Sequence, residues 1–208
     1  MGKNETMIIA QNWLKSRYEK HHLFTTKLIG KENIIKGLIQ ALQIELGVIS
    51  DGFWNDNTTK AFEEVFPNGL IEETETDINS RIINIIYILQ LGFYVAREIP
   101  AGGIDGYFGE SLTTAVKVFQ EQAGVKEDGI VRAYLFKAIL STESYRLDEK
   151  GDYQIREIQQ NLNEKYHNVI GLIPTNGIYD TRTNNALKKI VQIEIDSLED
   201  KELENEAQ

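Results

Sequence analysis

Internal repetition constrains this chain more than any other feature. Three times an Asp-Gly or Asn-Gly pair leads into a helix-spaced apolar stripe, the pattern of stacked helix–turn–helix units. Asp51-Gly52-Phe53-Trp54 precedes Thr58, Ala61, Phe62, Val65 and Phe66. Asp105-Gly106-Tyr107-Phe108-Gly109 precedes Leu112, Ala115, Val116, Phe119 and Gln120. Asn176-Gly177-Ile178-Tyr179 precedes Thr183, Ala186, Leu187, Ile190 and Val191. The three segments align without gaps, and in each the apolar residues recur at i, i+3, i+4 and i+7, which places them on one face of a helix.

A second stripe lies upstream of each turn: Ile35, Leu38, Ile39, Leu42 and Leu46; Ile82, Ile85, Ile86, Leu89 and Phe93; Ile155, Ile158, Leu162 and Tyr166. Met7, Ala10, Leu14 and Tyr18 repeat the third spacing and read as half a repeat. The middle unit alone continues into a second turn, Asp128-Gly129-Ile130-Val131, and a third stripe with Leu135, Phe136, Ile139 and Leu140. The expected organisation is all-α. Residues 1–71 hold a partial and a first repeat, 72–147 the second and most complete, 148–195 a shortened third, and 196–208 an acidic tail or linker. The polar stretch 72–79 reads as a connector.

Charge and composition narrow the function. A net charge of −10 argues against nucleic acid, whose phosphates need clustered Lys and Arg, and against anionic membranes. The absence of cysteine removes disulfides and thiol chemistry. The most apolar run, residues 82–95, is interrupted by Asn84, Gln90 and Gly92, so no membrane span is expected. The amino terminus lacks a signal-peptide pattern. His21 and His22 are adjacent and point apart, with His167 remote, so no zinc site and no cofactor is expected. No nucleophile elbow, phosphate loop or His-Glu-x-x-His motif occurs, and no catalytic residue is assigned.

The middle unit, with Asp105-Gly106-Tyr107-Phe108-Gly109, Thr114 to Gln120, Gly124-Val125 and Asp128-Gly129-Ile130-Val131, resembles the peptidoglycan-binding domain family. That resemblance implies a small three-helix module bound to the bacterial wall. It covers residues 82–140 strongly and the outer units more weakly, because Asn55 and Asp180 replace the second glycine of the turn. The arrangement also resembles the binding half of bacterial or phage wall hydrolases such as endolysins, in which a glycoside-hydrolase-like domain follows. An extracellular or wall location is implied.

Within the turns, Asp51, Asp105 and Asn176 are expected to accept main-chain N–H bonds, and the glycines to take positive φ. Of the two residues that follow, one plugs the core and one faces outward, and alternation does not say which. A wall ligand of amino sugars and short peptides needs flat aromatic faces and polar partners. Tyr94, Arg97, Tyr107, Arg132 and Tyr134 supply both around the two middle turns, with the guanidinium groups placed to fork onto a stem-peptide carboxylate. Their counterparts are Trp54 in the first unit and Tyr179 with Arg182 in the third. The expected function is noncatalytic peptidoglycan binding, through glycan strand or stem peptide, beside a lytic domain. The alternative is a helical-repeat protein-interaction scaffold.

Overall fold

A computed structural model describes residues 2–21, 28–72 and 80–206. His22, most of the connector 72–79 and the loop from Thr25 onward to residue 27 lie outside the described residues. Among those described, the chain is all-helical, with one isolated antiparallel bridge, Leu70 to Val131. Internal contacts divide it into two compact units, one of residues 1–120 and 127–143, the other of residues 121–126 and 144–208. No described helix is long and apolar enough to cross a membrane.

The first unit contains α1 (Lys3–Tyr18), α2 (Lys31–Leu46), α3 (Asp56–Val65), α4 (Ser80–Gly92), most of α5 (Glu110–Ala123) and α6 (Ala133–Ile139). Ala10, Leu14 and Tyr18 of α1, Leu38 and Leu42 of α2, and Ile85, Ile86 and Leu89 of α4 are all buried, as their spacing requires. Each such Leu or Ile side chain contributes about 1.5–3 kcal/mol by leaving water. A polar set ties α1 down: Tyr18 donates to Glu45 at 2.6 Å, Asn84 donates to the same Glu45 oxygen at 2.7 Å, and Arg17 donates to Asn84 at 3.0 Å. Burial, then the bond to Glu45, push the Tyr18 phenol above its usual range.

Helices α4, α5 and α6 follow one another through the segment read from sequence as the middle unit. Helix α6 also packs beside α3, where Phe136 meets Phe62 edge-on at 5.6 Å and Trp54 at a tilt at 5.9 Å. Beyond Gly92, α4 widens into one π turn, Phe93–Arg97, and Glu98 follows with φ 57°. This turn carries Arg97 inward.

The second unit holds α7 (Tyr153–Ile170) and α8 (Thr181–Glu206) around Leu162, Ile173, Ala186 and Ile190. Two stripe residues differ from expectation: Ile158 is 44% and Val191 55% exposed. The inward face of α7 instead uses Gln159, Leu162 and Asn163, two of them polar, so apolar spacing alone drew its stripe slightly off the buried face. The expected tail is also different. It continues α8 as helix through Glu206, in a Glu-rich segment that contains neither Gly nor Pro.

Candidate functional site

Four Asp-Gly or Asn-Gly turns, at Gly52, Gly106, Gly129 and Gly177, are each clasped by a buried glutamine from the preceding helix. Gln43 donates to Asp51 Oδ1 and the Phe53 carbonyl, both at 2.9 Å, and accepts the Gly52 N–H at 2.9 Å. Gln90 donates to Asp105 Oδ1 at 2.9 Å and to the Tyr107 carbonyl at 3.1 Å, and accepts the Gly106 N–H at 2.9 Å. Gln120 makes the same three bonds to Asp128, Ile130 and Gly129. In the second unit Gln159 accepts from Gly177 and donates to the Ile178 carbonyl, with Thr183 replacing the side chain of Asn176 as its other acceptor. A buried amide is costly unless paired, and these four are paired on both sides.

The Asp and Asn side chains complete the turns: the N–H two residues on donates to Asp51, Asp105 and Asn176, as expected, and likewise to Asp128, at 2.8–3.0 Å. The Phe53 N–H, then the Gln43 amide, hold the Asp51 carboxyl below its usual range. At Asp128, desolvation acts upward, and the Ile130 N–H, Gln120 and Arg132 together outweigh it. Asn55 and Asp180, which depart from the family pattern, are helix caps: they accept the N–H groups of Thr58 and Thr183, each at 3.0 Å.

Two residues of the preceding helix cover each turn glycine in the first unit, seven and three positions before the glutamine. A Cβ on Gly106, at φ +74°, would stand 2.6 Å from Ile83 and 2.7 Å from Tyr87. Trp13 stacks on Tyr87 at 5.5 Å, so α1 backs this turn. Lys36 and Gln40 cover Gly52; Thr113 and Lys117 cover Gly129.

The residue after each glycine points outward: Phe53 is 64% and Tyr107 62% exposed. The next one turns inward in the first unit, where Phe108 is buried and Trp54 half-buried. Beside Tyr107 lies an open hollow of about 170 Å³, lined by Gly102, Asp105, Tyr107, Gly109, Glu110 and Ser111 among others. The Tyr107 ring lies across Gly109, where a Cβ would meet it at 2.6 Å. The hollow thus offers a flat aromatic, a hydroxyl, main-chain groups and two carboxylates, with neither Lys nor Arg in its lining.

The eight residues singled out from sequence fall into separate places. Tyr107 lines the hollow, and Tyr94 supports its rim by donating to the Gly102 carbonyl. Arg132, half-buried, pairs with Asp128 at 2.9 Å next to half-buried Tyr134, whose phenol burial pushes up. Tyr179 and Arg182 are exposed at the turn of the second unit. Arg97 is a correction: it is 7% exposed, donates to the carbonyls of Ser141 and Glu143, and lies over Phe119 at 5.5 Å. It binds the chain after α6 to the core, so no ligand carboxylate reaches it. Trp54 is half-buried: its ring packs on Phe62 and Phe136 and its N–H donates to Thr59. Phe53 is the exposed aromatic of that turn. The clasp glutamines were also missed; the available signal was a polar residue at a core position of every stripe.

Two relatives from Bacillus subtilis (strain 168) align over nearly the whole chain. The uncharacterized protein YbfG is 37% identical over 195 residues, 92% of this chain and 26% of its own length. The uncharacterized protein FadG is 33% identical over 199 residues, 92% of this chain and 33% of its own length. The chain therefore spans about a quarter to a third of these relatives. No solved structure matches. Residues 86–137, which carry two of the four clasped turns and the hollow beside Tyr107, match the family model of the peptidoglycan binding domain.

Proposed function

We propose that the chain is a noncatalytic peptidoglycan-binding region and that the hollow beside Tyr107 seats an amino sugar of the glycan strand. The observation that carries this reading is the coincidence of the family match with an exposed aromatic lining an open, polar hollow. The Tyr107 face suits the apolar face of a pyranose, while Ser111 and the glycine backbone suit hydroxyl and acetamido groups. Glu110, in a lining that holds neither Lys nor Arg, disfavours a carboxylate there, which favours sugar over peptide terminus at this position. In a longer protein the region would hold a lytic, glycoside-hydrolase-like domain against the wall. Adding soluble muropeptide to the labelled chain tests the assignment: the amide resonances of Gly102 to Ser111 should shift. Shifts confined to other residues would remove the hollow from the site.

The scaffold reading has one observation in its favour. On α8, Val191, Ile195 and Leu198 stand 42–61% exposed at helical spacing, a face suited to a partner helix. Capture of a wall-extracted protein by a chain that ignores sacculi would favour it.

A further inference from the structure

We infer that the first clasped turn is a second ligand site, distinct in chemistry from the hollow: Lys36 and Phe53 together receive a carboxylate carried beside an apolar face, as at the C-terminal residue of a wall peptide. The inference rests on the wall-binding reading and gives it a peptide component. Its basis is the comparison of the four clasps. All share one backbone, so their chemistry is set by the residue that points outward and by those that cover the glycine.

Only at the first turn do an exposed aromatic and a covering cation meet. The Lys36 stem is in contact range of the Gly52 position, where a Cβ would stand 2.6 Å from its Cγ, and its ammonium is held 4.6 Å from the centre of the Phe53 ring. Tyr107 has Ile83 and Tyr87 behind its turn, and Lys117 covers a turn whose outward residue, Ile130, is half-buried. Phe53 keeps 64% of its surface in water despite that contact, so most of the ring remains open to a ligand.

The nearest acid of the turn is already engaged. Asp51 Oδ1 accepts from Gln43 and from the Phe53 N–H, and its Oδ2 accepts from Asn55 at 3.4 Å. Among the described residues Lys36 forms no ion pair with a carboxylate. In a chain of net charge −10, an ammonium positioned by packing and left without such a partner is a local site for an anion. The ring supplies the apolar contact that a carboxylate alone would lack.

The test uses the full chain and two muropeptides that differ only in a free or an amidated C-terminal carboxyl group. The free form should shift the Gly52 and Phe53 amides. Lys36→Met, which retains an unbranched stem over Gly52, should keep the melting temperature and weaken that binding about three- to fivefold. Amidation of the peptide should produce the same loss in the unmodified chain and none in Lys36→Met. Phe53→Ala should abolish the shift at Gly52 while leaving those at Gly102 to Ser111. Equal binding of the two peptides, or no effect of Lys36→Met, would overturn the site while leaving the hollow at Tyr107 in place. A chain that binds neither sacculi nor either peptide would overturn both.

Discussion

At the scale of single residues, the clasp separates side chains that hold the fold from those free to meet a ligand. Replacing Gln90 by Leu strands the Asp105 and Gly106 N–H groups against an apolar side chain, and should cost about 2–4 kcal/mol in chemical denaturation. Gly106→Ala should cost about 1 kcal/mol or more, since φ is +74° and the added carbon meets Ile83 and Tyr87. Tyr107→Ala, at 62% exposure, should leave the melting temperature nearly unchanged. Arg97→Ala behaves as a core change: two carbonyls lose their donor and Phe119 its cover, for an expected loss of about 2–4 kcal/mol by thermal melt. The Asp-Gly pairs were legible because their chemistry is local. The glutamines were not, because each acts on a turn 9 to 18 residues further along, and their one trace is a polar break in an apolar stripe such as Gln90.

At the scale of elements, spacing located the helical stripes but not their partners. Periodicity gave α6 to the middle unit. Its Phe136 also packs on Phe62 of α3, and no local signal reports a side chain shared between segments so far apart in sequence. The π turn at Phe93–Arg97 likewise has no local signal, and Arg97, four residues after buried Phe93, lies inward despite its charge. The turn between α5 and α6 has a pH dependence of definite sign. Asp128 titrates below its ordinary value of 3.8 when folded, so its carboxylate contacts stabilise the protein above that pH and are lost as pH falls through the lower folded value. Asp128→Asn keeps an oxygen acceptor, as Asn176 does, and removes the ion pair with Arg132. Between pH 7 and pH 3 its melting temperature should fall less than that of the unmodified chain. The difference corresponds to under about 1 kcal/mol, because Arg132 is 40% exposed.

For the whole molecule, four clasps on one acidic chain favour several weak contacts over one strong one. A shallow site is weak by itself once ordering costs are met, whereas the wall repeats its unit along every strand. The fold class was readable from the repeats, while the sorting of aromatic residues into core and surface depended on tertiary packing at Trp54 and Phe108. The most direct measurement of the central claim is co-sedimentation of the full chain with purified sacculi, set beside folded Tyr107→Ala. Binding by the unmodified chain that falls at least severalfold in Tyr107→Ala, at equal melting temperature, is the expected result. No retention on sacculi by the unmodified chain, or equal retention of the two proteins, would contradict peptidoglycan binding at this turn.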